Sequence, residues 1–206
     1  MLLRAELVSL AAGQTLYGAD ENNDYVYFPE TAVVSHLYNL ADGSALEIAM
    51  VGSEGASGLC AVFGLMRSPH QAVVTIEGKA WRVKAEILRQ EFSRGGNLQA
   101  RLLDYANTYL AEISQKVVCA SFHTIEKRLC RWLLMIHDRL KTNQLAVTHE
   151  QMSQFLGVNR LSLSMVAKAL RDQGLINYAR GKVFILNRRG LEAAACECYS
   201  AVQTNF

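Results

Sequence analysis

No run of apolar residues in this 206-residue chain reaches the roughly 18 that a membrane-spanning helix needs. Its start, MLLRAELVSLAAG, lacks a basic segment followed by a long apolar core, so no secretory signal is read there. Cysteine is sparse, odd in number and scattered: Cys60, Cys119, Cys130, Cys196 and Cys198. That is the pattern of free thiols in a reducing compartment, and a cytoplasmic location is expected. The sequence has no nucleophile–base pair, no glycine-rich phosphate loop and no metal-ligand spacing, so an enzyme is not expected. A thiol oxidoreductase at Cys196 and Cys198 is the enzymatic alternative. On a continuous helix those two side chains point about 200° apart. There they cannot hold one metal or bridge, and they read as packed thiols, with a redox switch as the competing reading.

Strong net charge is also missing: 21 Lys and Arg face 19 Asp and Glu, a net of +2. The balance hides an uneven distribution. Residues 123–190 hold 12 basic and 4 acidic residues, a net of +8. Residues 1–122 hold 9 and 13, and residues 191–206 hold none and 2. A basic C-terminal module is the electrostatic footprint of polyanion binding; a merely solvated basic surface is the alternative.

The stretch Thr148–Gly174, THEQMSQFLGVNRLSLSMVAKALRDQG, lies inside that basic block. Thr148 can cap a helix, and Gln151 three residues later completes a capping box. Gly157 falls where the chain must turn sharply, and Asn159 can cap a second helix. Met152, Leu156, Val158, Leu163, Val166 and Leu170 are spaced to pack two helices at a steep angle, as in a helix-turn-helix. Asn159, Arg160, Leu161, Ser164, Met165 and Lys168 are left facing outward. In a DNA-binding helix-turn-helix that face enters the major groove; an ordinary helical hairpin is the alternative. Leu175–Leu186, LINYARGKVFIL, follows as a predicted β-hairpin turning at Ala179-Arg180-Gly181-Lys182. A hairpin directly after a recognition helix makes a winged helix, and Arg180 and Lys182 at its tip suit phosphate contact. The expected DNA-contacting set is Thr148, Asn159, Arg160, Leu161, Ser162, Ser164, Met165, Lys168, Arg180 and Lys182.

The N-terminal half reads as short strands over Glu6–Leu10, Thr15–Tyr17, Tyr25–Phe28, Ala32–Leu40, Ser44–Val51, Ala72–Ile76 and Trp81–Val83. Asp42-Gly43 is the strongest hairpin signal, and Leu46, Ile48 and Met50 share a face of the strand after it. Strands at this spacing predict a sandwich or jelly roll. A helix over Glu86–Phe92 closes it, and Ser93-Arg94-Gly95-Gly96 bends the chain. A helix over about Asn97–Ser121, a rod of about 37 Å, carries two stripes. Leu103, Ala106, Leu110, Ile113, Val117 and Ala120 form a heptad seam; Leu98, Leu102, Tyr105 and Tyr109 form the other. One stripe suits the helix's own domain and the seam a second copy; burial between two domains of one chain is the alternative. Helices are expected over Thr124–Leu140 and Arg188–Tyr199. The whole is an α+β chain. It comprises an N-terminal double-stranded β-helix (jelly roll) over 1–94, a dimerisation helix over 95–121 and a winged helix-turn-helix over 122–206.

That order resembles the Crp–Fnr family of bacterial transcription regulators over nearly the whole chain. The motifs behind the resemblance are Gly13–Tyr17, Tyr27-Phe28-Pro29, Asp42-Gly43, Leu156–Arg160, Leu170–Ile176 and Gly190–Tyr199. The chain starts near the first strand, so the short N-terminal helical segment common in the family is expected to be missing or shortened. The resemblance implies a homodimer on a palindromic operator in double-stranded DNA, with contact to RNA polymerase. Family members that bind cyclic nucleotides carry a Gly-Glu and an Arg-Ser/Thr-Ala around the phosphate. Here those regions read Val51–Gly58 and Met66-Arg67-Ser68-Pro69-His70, a partial match with proline in place of alanine. Glu54, Arg67 and Ser68 are the weak effector-binding candidates. Iron–sulfur sensors of the family use several N-terminal cysteines, and none precedes Cys60. Haem sensors use a histidine or cysteine, for which His36, His70 and Cys60 are candidates that read better as structural. No cofactor is expected. The best-known activator presents arginine, glutamate and arginine to the bases. Arg160, Leu161 and Met165 stand at the matching positions, so fewer hydrogen bonds and more shape readout are expected. A regulatory or scaffold protein that keeps the fold but has lost specific operator binding is the competing function.

Overall fold

The computed structural model of the chain describes residues 5–65 and 67–203. Met1–Arg4, the opening of the stretch read for a signal, and Met66 of the segment Met66–His70 lie outside the described residues. The chain divides into two compact units, Met1–Asn39 with Ile48–Ala111, and Leu40–Glu47 with Glu112–Phe206.

The first unit is built on two antiparallel sheets. Strands β1 (Glu6–Leu10), β2 (Thr15–Tyr17), β3 (Tyr25–Pro29), β4 (Val33–Asn39), β5 (Ala45–Val51), β6 (Gln71–Ile76) and β7 (Gly78–Lys84) form them. Their orders are β1-β7-β3 and β2-β6-β4-β5. Asp42-Gly43 makes the β4–β5 turn as its chemistry predicts. The Ser44 amide donates to Asp42 Oδ1 at 2.9 Å, and Gly43 supplies a φ of +83°. A short 3-10 turn (Leu59–Ala61) and helix α1 (Ala85–Ser93) close one end. Val26, Leu59, Val62, Val83, Leu88 and Leu102 form a core there, each aliphatic side chain stabilising by about 1.5–3 kcal/mol when fully buried. Gly95 and Gly96, both at positive φ, bend the chain into helix α2 (Asn97–Phe122). Leu102 of that helix is buried in this core, with Leu98 and Tyr105 packed against it, as the second stripe predicts.

Strand β5 differs from the sequence reading. Its fully buried positions include Ala45, Glu47, Ala49 and Val51, whereas Leu46 and Ile48 are half-buried. Glu47, 2% exposed, belongs to the second unit, where it accepts from Lys116 Nζ at 2.7 Å and Trp132 Nε1 at 3.1 Å. A carboxylate is tolerated at that depth because both donors reach it.

The second unit continues through α3 (Ile125–Leu140), β8 (Gln144–Leu145), α4 (His149–Leu156) and α5 (Arg160–Asp172). Then follow β9 (Ile176–Ala179), β10 (Lys182–Ile185), α6 (Arg188–Ala194) and α7 (Cys198–Gln203). Thr124 caps α3, whose Leu129, Trp132, Leu133 and Ile136 are buried. The short β8 adds a third strand to the wing, in the order β8-β10-β9; two residues are too few to show a period in sequence.

The C-terminal stretch Arg188–Tyr199 is not one helix. Helix α6 breaks at Ala195, whose backbone is extended (φ −73°, ψ 167°), and α7 starts at Cys198. The 200° separation expected of Cys196 and Cys198 therefore does not hold, because the chain between them is not a continuous helix. Among the described residues no helix is long and apolar enough to cross a membrane.

Candidate DNA interface and effector cavity

The helix-turn-helix is assembled by local signals. Thr148 Oγ1 accepts from the Gln151 amide at 3.2 Å, and Gln151 Oε1 accepts from the Thr148 amide at 2.9 Å, the complete capping box. Arg128 of α3 donates to the Leu156 carbonyl at the other end of α4. Gly157 ends the helix at φ +61°, a conformation that glycine adopts without strain; a Cβ there would meet only the movable Leu46 Cδ1, at 2.8 Å. Asn159 Oδ1 then accepts from the Leu161 amide at 2.7 Å and opens α5.

Helix α5 buries Leu163, Ala167 and Leu170. Met152, Phe155 and Leu156 of α4 are buried as well, while Val158 and Val166 are only half-buried. On the opposite face Arg160 and Lys168 are exposed, and so are Leu161 (71%) and Met165 (66%). Ser162 and Ser164 are half-buried. Ser164, expected to face outward, instead turns its hydroxyl toward the neighbouring helix, 3.3 Å from His149 Nδ1.

The hairpin turn has Arg180 at φ +51° and Gly181 at φ +76°. Positive φ at both central residues is the turn whose twist matches a two-residue hairpin. It leaves the side chains of Arg180 and Lys182 exposed. Between wing and helices lies a cleft of about 300 Å³, lined by Thr148, His149, Arg160, Tyr178, Arg180 and Lys182 among others. Three of those side chains are cationic.

The sequence reading does not single out His149, Glu150 or Tyr178, which the fold brings to this surface. Glu150 pairs with Arg160 at 3.0 Å. The His149 ring meets Tyr178 edge-on at 4.6 Å, and Arg171 lies over Tyr178 at 5.2 Å. Burial, and then the charge of Arg160, lowers the His149 pKa.

In the first unit a cavity of about 230 Å³ is lined by Tyr17, His36, Cys60, His70, Tyr105 and Tyr109 with several apolar side chains. His36 is buried and held at both ring nitrogens: Ser57 Oγ at 2.8 Å and Tyr17 Oη at 3.3 Å on Nε2, Tyr109 Oη at 2.5 Å on Nδ1. Its ring is 4.4 Å from that of His70. Burial, with His70's charge second, holds His36 well below the usual histidine range, and burial lowers His70 to about 4. His36, His70 and Cys60 thus come together, but hydrogen bonds already engage both His36 nitrogens. Glu54, Arg67 and Ser68 are not among the residues lining this cavity. Glu54 and Arg67 stand apart from it; Glu54 accepts from the Gly52 amide, and Arg67 bridges to Asn22. Ser68 is buried, and its Oγ accepts from the His70 amide at 3.4 Å.

Along α2, Leu103, Leu110, Val117 and Ala120 are exposed or partly so, and Ala106 and Ile113 are half-buried. Val118 and Phe122, also exposed, extend the apolar surface beyond the heptad positions read from sequence.

Residues 127–194 match the family model of the Crp-like helix-turn-helix domain. The chain is 28% identical to the transcriptional regulator LdrP of Thermus thermophilus, over 58% of this chain and 68% of that protein. The structure of FixK2 from Bradyrhizobium japonicum shares its fold with a TM-score of 0.80 at 21% identity, over 94% of this chain and 98% of that one. A CRP/FNR-family transcriptional regulator of Thermus thermophilus does so at 0.74 and 22%, over 92% and 98%. The α+β architecture read from sequence is the one these structures share. Residues 127–194 thus place a Crp-like helix-turn-helix domain in that fold, and the chain is similar to transcriptional regulators of the Crp–Fnr family.

Proposed function

We propose that the chain acts as a homodimer that reads a palindromic operator through paired α5 helices. The observation that carries this reading is the apolar line Leu103–Leu110–Val117, which is 47%, 61% and 62% exposed while Leu102 on another face of α2 is buried. A seam of period seven suits a two-stranded coiled coil, with Ala106, Ile113 and Ala120 at the alternate positions. Two-fold proteins suit palindromic sites. In this reading residues 1–94 are the effector domain, 95–121 the dimerisation helix and 122–206 the DNA-binding domain, working in the cytoplasm with RNA polymerase as a further partner.

Arg160 is positioned to contact a guanine, and Arg180 and Lys182 to contact phosphates, with Thr148, Asn159, Ser162, Ser164 and Lys168 flanking them. Leu161 and Met165 offer only apolar contact, as to a thymine methyl. The effector domain is degenerate toward cyclic nucleotides. An exposed Arg67 outside the cavity lining supports this, since a buried phosphate needs a paired arginine.

The test is selection of bound duplexes from a random DNA library by the purified protein, with its mass measured in solution. An enriched inverted repeat with half-site centres about one helical turn apart supports the reading. A folded dimer that enriches nothing, even with cellular small molecules added, favours the second reading, a regulator that has lost operator specificity. The exposed Leu161 and Met165 are that reading's motive.

A further inference from the structure

Four metal-ligating side chains meet where the last turn of α2 faces the break between α6 and α7. Cys119 and His123 are four residues apart and project from one face. The His123 amide still donates to the Cys119 carbonyl at 3.1 Å, so the helical spacing holds there. Cys196 and Cys198 arrive from the far end of the chain, brought together by the extended Ala195. One ligand atom from each of the four lies within 4.8 Å of the others. Cys119 Sγ is 3.6 Å from Cys196 Sγ, and Cys198 Sγ is 3.5 Å from His123 Nδ1. A tetrahedral zinc ion, with Zn–S of about 2.3 Å and Zn–N of about 2.0–2.1 Å, sets ligand–ligand edges of about 3.6–3.8 Å. In an iron–sulfur cluster four protein ligands are divided among two or four irons, so as a set they spread farther apart than around one ion.

The surroundings fit a metal as well. His123 Nε2 is 3.2 Å from Glu197 Oε1, which places the ring hydrogen on Nε2 and leaves the Nδ1 lone pair for an ion. That carboxylate–histidine arrangement orients metal-bound histidines generally. Gln115 Nε2 donates to Cys198 Sγ at 2.9 Å. Arg131, 5% exposed, acts electrostatically on Cys119. Among the described residues its Nε and Nη2 have no hydrogen-bond partner. Three thiolates around a divalent ion carry a net charge of −1, which a buried guanidinium would balance.

We propose that Cys119, His123, Cys196 and Cys198 bind one zinc ion per chain in a closed tetrahedral site. The ion ties the end of α2 to the α6–α7 segment within the DNA-binding unit. Binding forms three Zn–S bonds and one Zn–N bond, and the three thiol protons pass to solvent.

The test uses the full chain, purified under reducing conditions, stripped with a chelator and titrated with Zn²⁺ or Co²⁺. One ion per chain is expected, with protons released on binding. Co²⁺ should give thiolate-to-cobalt charge-transfer absorption and the visible bands of a tetrahedral site. Cys196→Ser and His123→Ala should lose or alter that spectrum, and Cys60→Ser, outside the cluster, should keep it. Glu197→Gln should weaken metal binding roughly 10–100-fold without removing a ligand, and it decides the matter if the ligand variants do not fold. Wild-type protein that is folded and reduced but gives no charge-transfer band overturns the proposal. So does a Cys196→Ser spectrum identical to wild type, or recovery of a Cys119–Cys196 disulfide in place of metal binding.

Discussion

Arg160, at the first turn of α5, pairs with Glu150 near the start of α4, Nη1 to Oε2 at 3.0 Å. Both side chains are about two-thirds exposed, so the pair adds little to stability, about 0–1 kcal/mol. It must open before Arg160 can make a bidentate contact to a base. Glu150→Gln should therefore tighten DNA binding roughly 2–5-fold, the equivalent of that pair energy, with no more than a small change in Tm. Arg160→Ala should cost roughly 1–3 kcal/mol of discrimination at one base pair. Fluorescence anisotropy on the selected site and single-base variants reads both; an Arg160→Ala protein with unchanged site preference would falsify the docking.

The wing offers a cleaner separation of stability from binding. Arg180 occupies a left-handed conformation that glycine adopts without strain. Arg180→Gly should leave thermal stability equal or higher. DNA affinity should fall for every sequence alike, and the salt-dependence slope should shrink by about 1. A fall in Tm together with an unchanged slope counts against a phosphate contact.

Two histidines in the first unit set a pH dependence. His36 and His70 have lowered pKa values in the folded chain, so the unfolded chain binds their protons first. Their stabilising share is fully present above the unfolded value of about 6.5 and is lost as pH falls toward the folded value of His70, about 4. Each group contributes up to about 1.4 kcal/mol per pH unit within its window. Urea unfolding across that range should show stability falling with pH, and His70→Asn should make the decline shallower.

Burial of Glu47 makes Lys116 a structural residue. Removing one partner of a buried ion pair costs about 3–5 kcal/mol, because the other charge stays desolvated. Lys116→Met should destabilise the chain by that order, and Trp132→Phe by about 1–3 kcal/mol through loss of one donor to the carboxylate. Chemical denaturation measures both. Equal and small effects would mean that water reaches Glu47.

The exposed line on α2 predicts a change of assembly state. Leu110→Glu with Val117→Glu places charge at the centre of the seam. The double variant should sediment as a monomer at concentrations where the wild type is a dimer, and should lose most operator affinity. A dimer that persists moves the interface elsewhere.

What could be read from residues alone was local. The Thr148–Gln151 capping box, Gly157, the Asn159 cap and the Arg180-Gly181 turn each act over four residues or fewer, and each appears where its chemistry demands. The Asp42-Gly43 hairpin and the two stripes of α2 are also local, the latter because helical periodicity repeats itself over 26 residues.

Tertiary structure decided what depends on distant partners. Glu47 is buried where Lys116 and Trp132, 69 and 85 residues away, supply donors. The histidine cavity needs Tyr17, Ser57 and Tyr109 around His36. The cysteines illustrate the limit most sharply. Read as a helix, Cys196 and Cys198 diverge; a single extended residue at Ala195 turns them toward Cys119 and His123, more than 70 residues earlier. Capping and periodicity act through neighbouring peptide groups, and so they are written in sequence. Convergence of side chains from separate segments follows from how the chain packs, and only the folded chain reveals it.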